Sequence, residues 1–96
     1  MTVVRMVSVK IKSGQLDEGV RLFRAETLGQ ARAAQGSEGV YLLTDPATSL
    51  GISLNFYASR AEAEADTGAF QQRFGAFRDL LDGQPTIQLL EVAAQT

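Results

Sequence analysis

The side chains of this sequence that could do chemistry together lie on one alternating stretch, Leu50 to Tyr57. Leu50, Ile52, Leu54 and Phe56 share one face and Gly51, Ser53, Asn55 and Tyr57 the other, which is the pattern of a strand between two unlike environments. A polar row ending in Asn-x-Tyr offers an amide and a phenol for hydrogen bonding to a small molecule. Other chemistries have no footing. The chain has no cysteine, which removes disulfides, thiolate metal sites and thiol nucleophiles. It has no histidine, which removes the commonest general base and the commonest zinc and haem ligand. Ser8 and Ser53 have no base beside them in any motif, so they carry no nucleophile signature. No cofactor or metal site is therefore expected.

Charge narrows the partners. Nine basic and eleven acidic residues give a net charge of −2, and the basic ones are scattered, so no stripe exists to neutralise nucleic-acid phosphates. The N-terminal stretch has charges inside its apolar run and does not read as a signal peptide. No segment approaches the roughly twenty apolar residues of a membrane span, so no membrane partner is expected and the cytoplasm is the default compartment.

The elements that must position the polar row follow from periodicity. Thr2 to Lys12 is rich in valine and reads as a strand, with Val3, Val7, Val9 and Ile11 on one face, interrupted by Arg5, and Val4 and Met6 on the other. After Ser13-Gly14 a helix runs from about Gln15 to Gln35 on the stripe Leu16, Val20, Phe23, Thr27, Ala31 and Ala34, with Gly36 as its stop. Gly29 inside it suggests close packing on the sheet. A hairpin joins Val40–Thr44 to Leu50–Tyr57 through Asp45-Pro46. Ser59-Arg-Ala-Glu62 is a capping box for the second helix, which breaks or bends near Gly68 and continues with Phe70, Phe74, Phe77 and Leu81 at helical spacing. The acidic run Glu62, Glu64 and Asp66 reads as the solvated, dipole-favoured start of that helix. A last strand spans Thr86 to Ala93. One domain over residues 1–96 results, with order β-α-β-β-α-β: the α+β, ferredoxin-like arrangement of a four-stranded antiparallel sheet with two helices on one face.

That arrangement leaves one sheet face uncovered. Leaving four large apolar side chains wet would forfeit several kcal/mol, at about 25 cal/mol per Å², out of a total stability of about 5–15 kcal/mol. The economical cover is a second copy of the chain, so a homodimer through the Leu50-Ile52-Leu54-Phe56 face is expected. Ser53, Asn55 and Tyr57 then face the helices, where they line a cleft walled by Phe23, Phe70 and Phe74, suited to a small aromatic ligand. The alternative is plainer: Tyr57 packs at the sheet edge with its hydroxyl in water and Asn55 makes a local bond.

The sequence also resembles the antibiotic-biosynthesis-monooxygenase type of dimeric α/β-barrel protein over nearly its whole length. The resemblance rests on Gly36, the Leu42-to-Pro46 turn region, Asn55-Phe-Tyr57-Ala-Ser59, and Phe74-x-x-Phe77-x-x-x-Leu81-x-Gly83-x-Pro85. It implies the same fold and activities such as cofactor-free oxygenation of aromatic compounds, haem breakdown or quinol oxidation. Members commonly carry a tryptophan and a histidine where this chain has Tyr57 and Thr67, which weighs against the haem reading. For cofactor-free oxygenation the resemblance makes Asn55 the residue that orients a substrate oxygen and Tyr57 a donor to it. Arg73 would stabilise developing negative charge, or else is a solvated helix residue. Two functions stand: a cofactor-independent monooxygenase acting on a small aromatic or quinone-like compound, and a non-catalytic ligand-binding or oligomerisation module.

Overall fold

The computed structural model describes residues 1–96. The β-branched start of the chain forms β1 (Val3–Lys10), and Gly14, at φ +80°, turns it toward the first helical segment. That segment has three parts: α1 (Leu16–Leu22), a π-helical turn (Phe23–Thr27) and α2 (Leu28–Ala33). The sequence stripe anticipates one regular helix; the π turn instead widens it at Phe23 and Thr27, the residues that face inward at its middle. Gly36, again at φ +80°, ends it.

β2 (Ser37–Asp45) begins three residues before the expected strand and carries a bulge between Ser37 and Gly39. Its turn into β3 (Leu50–Tyr57) is held by the Asp45 carboxylate, which accepts from the Ala47 amide at 3.1 Å. Ser59 then caps α3 (Arg60–Ala65), its hydroxyl accepting from the Glu62 amide at 3.2 Å. The reciprocal half of the expected capping box is missing: Glu62 Oε2 is buried without a hydrogen-bond partner, in the space that a side chain at Gly36 would fill. α4 (Thr67–Gly75), a 3₁₀ turn (Arg78–Leu80) and β4 (Thr86–Glu91) complete the chain.

The sheet is antiparallel with order β2-β3-β1-β4, so the first and third strands are central, as the ferredoxin-like reading requires. Val3 pairs with Tyr57, Arg5 with Asn55, Val7 with Ser53 and Val9 with Gly51. These residues therefore share the face under the helices, where Val3, Val7, Gly51 and Tyr57 are buried. Leu50, Ile52, Leu54 and Phe56 lie on the open face beside Tyr41, Leu43 and Leu90, which are 57, 49 and 42 % exposed. No helix is long and apolar enough to cross a membrane.

Two glycine expectations are corrected. The helix break falls at Asp66, between α3 and α4, rather than at Gly68. Gly29 does not pack closely on the sheet: it is exposed, and a Cβ there would meet open space. Gly29→Ala is accordingly expected to raise stability by about 1 kcal/mol, read as an upward shift of the urea midpoint with an unchanged m-value.

Candidate functional site

The site begins with a charge where the strand pattern calls for an apolar residue. Arg5 stands between Val3 and Val7 on the helix-covered face of β1, beneath α3 and α4. Its burial is possible because its hydrogen bonds are met. Nη1 donates to the Tyr57 hydroxyl at 3.1 Å, and Nη2 to the Ala63 carbonyl at 2.8 Å and Thr67 Oγ1 at 3.1 Å. The Ala63 carbonyl belongs to the last turn of α3, where it also accepts from the Asp66 amide at 3.2 Å and the helix dipole favours a cation. The guanidinium lies over Phe70, 4.6 Å from the ring centroid, and 5.5 Å from that of Tyr57. Ala63 itself is fully buried against Val3 and Tyr57, and its small side chain lets α3 approach the sheet.

Asp66 closes the network. The helix break brings its carboxylate inward, where it accepts from the Tyr57 hydroxyl at 2.5 Å and from both Arg73 Nη atoms at 3.2 and 2.7 Å. Arg5 Nη1 stands 3.9 Å from the same carboxylate. The side chains of Arg5, Asp66 and Arg73 are only 6, 9 and 8 % exposed. Burial alone would raise the Asp66 pKa, but the bonds from Arg73 and Tyr57 outweigh it and hold the carboxyl below its ordinary 3.8. Burial disfavours the Arg73 cation, and its bonds to Asp66 more than restore it. For Tyr57, burial and then the bond to Asp66 push the pKa up to about 12.

Tyr57 therefore has no hydrogen-bonding capacity left. Its hydroxyl donates to Asp66 and accepts from Arg5 and from Asn55 Nδ2, the latter at 2.8 Å, and the residue is 0 % exposed. The phenol is a buried hub, neither the direct donor to a substrate expected from the sequence nor a wetted edge residue. Because its folded pKa is raised, it contributes stability below pH 10 that is lost as pH rises toward 12. Spectrophotometric titration near 295 nm should show a phenolate step near pH 12 that Tyr57→Phe removes.

Above this network, between sheet and helices, lies an apolar chamber of about 80 Å³. Asn55 and Ser53 lie on its floor. Phe23, Phe70 and Phe74 wall it, and Arg5 and Arg73 close one side. The structure thus brings six of the sequence candidates, Ser53, Asn55, Phe23, Phe70, Phe74 and Arg73, to one cavity. Tyr57 and Thr67 are not among its lining; Thr67 is exposed and its hydroxyl serves Arg5. Asn55 is held by Tyr57 and by the Ser37 hydroxyl, which donates to Oδ1 at 3.3 Å, leaving one amide N–H without a partner in this network. No three His, Cys, Asp or Glu side chains converge in a set that could hold a metal ion.

Sequence reasoning missed Arg5 and Asp66. Arg5 was visible as a charge inside an apolar row, a pattern that demands a buried counter-charge. Asp66 is not solvated, contrary to the reading of the acidic run; it differs from Glu62 and Glu64 in lying seven residues before Arg73, two helical turns along the same side.

The fold is that of the antibiotic biosynthesis monooxygenase type, an α+β sheet-and-helix arrangement shared with solved structures across nearly the whole chain. A variant of SnoaB, a cofactor-independent oxygenase from Streptomyces nogalater, superposes with TM-score 0.81 at 14 % identity, covering 98 % of this chain and 95 % of that one. The structure of an antibiotic biosynthesis monooxygenase gives 0.78 at 16 % identity, covering 98 and 100 %. A protein of unknown function from Nitrosomonas europaea gives 0.80 at 22 % identity, covering 99 and 92 %. No protein-family model and no curated protein matches the chain.

Proposed function

We propose that the protein is a homodimeric, cofactor-independent monooxygenase acting on a small aromatic compound with an acidic hydroxyl, such as an anthrone or quinol. One observation carries this reading. Arg5 and Arg73 share one carboxylate, Asp66, so a single surplus positive charge stands at the wall of an apolar chamber beside the free amide N–H of Asn55. A buried cation within about 4–6 Å lowers the pKa of a bound phenol by about 1–3 units. The chamber thus favours the substrate anion without a strong base, and its proton leaves to water.

The electron-rich anion is the species that reacts with oxygen. In an anthrone, the reacting CH₂ carbon becomes a carbonyl: one oxygen atom of O₂ enters the product, and the other leaves as water with the two hydrogens. The residues contribute binding, charge and orientation. Asn55 donates to the substrate oxygen, Arg73 opposes its charge, Ser53 lies beside it on the floor, and the phenylalanines exclude water. Tyr57 and Asp66 act as positioning residues that hold Asn55 and the arginines, and Thr67 helps hold Arg5. The chamber is smaller than the roughly 150 Å³ that accommodates benzene, so a ring system enters only as the helices part, and the π turn at Phe23–Thr27 is the irregular place where they can.

Oxygen uptake with 1,8-dihydroxy-9-anthrone tests this. One O₂ should be consumed per quinone formed, and Arg73→Met and Asn55→Ala should each lower kcat by about 10²–10³. The second reading, a non-catalytic ligand-binding module, draws on the saturation of Tyr57 and Asp66, which leaves no base free in the chamber. Tight binding of the anthrone with no uptake above the spontaneous rate would decide for it.

A further inference from the structure

A second cavity lies outside the first. It is a groove of about 590 Å³ between the first helical segment and α4, and it shares Thr27 and Arg73 with the chamber. These two residues line both the apolar space and the polar one. The groove has uncharged hydrogen-bonding side chains, Thr27, Gln30 and Gln72, among small ones such as Ala33 and Ala69. Its charged groups are Glu26, Asp66 and Arg73, and Arg73 is already neutralised by Asp66. The balance on this side is negative, the reverse of the chamber side, where Arg5 and Arg73 outnumber the single carboxylate. The groove volume lies within the ordinary range for small-molecule sites, about 300–1,000 Å³, whereas the chamber alone falls well below it.

We propose that this groove is a second ligand subsite, joined to the chamber at Arg73 and Thr27, that takes an uncharged, hydroxyl-bearing arm of an aromatic ligand whose acidic ring end sits in the chamber. The proposal rests on the chamber being a ligand site and adds the polarity of the ligand. The two ends of the molecule must differ: acidic and flat at one, neutral and hydroxylated at the other. Amide side chains suit hydroxyl groups because each offers both a donor and an acceptor. Glu26, the one carboxylate of the groove that Arg73 does not pair, disfavours an anionic arm. The groove opens on the helix side of the sheet, away from the apolar open face, so dimerisation through that face leaves it accessible.

Three naphthoquinones separate the possibilities: 2-hydroxy-1,4-naphthoquinone, its congener with a 3-(2,3-dihydroxypropyl) arm, and its congener with a 3-(2-carboxyethyl) arm, each titrated by its own visible absorbance. The dihydroxypropyl arm should tighten Kd about tenfold, as two added neutral hydrogen bonds would, and the carboxyethyl arm should give no gain. Ala69→Phe and Gln72→Ala, both on the exposed outer wall, should each erase that gain while leaving Kd for the parent compound unchanged. If the parent binds but the hydroxylated arm adds nothing, the subsite is overturned and the chamber reading survives. It is likewise overturned if Ala69→Phe slows association and dissociation of all three compounds equally with Kd unchanged, because the groove is then only a passage. If the parent itself does not bind, the chamber reading and the subsite fall together.

Discussion

Replacing Asp66 by alanine is expected to lower stability by about 3–5 kcal/mol, measured by urea unfolding of the variant beside the native protein. The cost comes from what is left behind. The Arg73 guanidinium and the Tyr57 phenol lose their acceptor, and Arg5 loses the carboxylate that stands 3.9 Å away. Against a total of about 5–15 kcal/mol, that is enough to unfold a substantial fraction of molecules at physiological temperature. The exposed pair Arg21–Glu18 supplies the control: both side chains stand in water, so removing Glu18 should leave the midpoint where it was. Acid should act on the same group. The Asp66 carboxyl is held below 3.8 in the folded protein, so its contribution is complete above that pH and is lost as pH falls further, through the folded value. Asp66→Asn should remove this acid-dependent component, and a variant as acid-sensitive as the native protein would show that the charge lies elsewhere.

The second large effect is expected at Phe56→Asp, which should weaken self-association at least about a hundredfold in sedimentation equilibrium. Phe56 lies on the open face and meets Tyr41 edge to face at 5.9 Å between centroids. The accessible surface of the chain is 5958 Å², against roughly 5,400 Å² for a monomer of its 10.3 kDa mass. Only twelve residues are buried, so the interior under the helices does not compensate for an apolar face left in water. A carboxylate at position 56 would enter that face, beside Tyr41 and Val4, without a partner. A native protein that sediments as a monomer would remove the dimer from the proposal, and an unchanged dimer in the variant would move the interface elsewhere.

The parts of the molecule that depend on local periodicity were legible in the sequence. Alternation in Leu50 to Tyr57 told which side chains face the helices, and Phe70 and Phe74 at helical spacing told what walls the chamber. The limit was reached where one residue's meaning depends on partners far along the chain. Tyr57 looked available, yet Asn55 from its own strand and Arg5 and Asp66 from elsewhere consume its hydroxyl, and only the register of β1 on β3 and the break before α4 bring the last two to it. Asp66 looked solvated for the same reason. The π turn left no mark either, because Phe23 and Thr27 fit an ordinary helical stripe equally well.

The position of Arg5 also bears on folding fidelity. β1 has apolar residues on both faces, Val3, Val7 and Val9 on one and Val4 and Met6 on the other, so hydrophobicity alone barely distinguishes the native alignment from one slipped by a single residue. Arg5 distinguishes them. In the slipped strand its guanidinium would stand among the apolar side chains of the open face, while the Ala63 carbonyl and the Thr67 and Tyr57 hydroxyls beneath the helices would lose their donor. The misaligned chain thus carries a penalty on both sides of the sheet at once, and the charge that looked like an interruption of the strand serves as its proofreader.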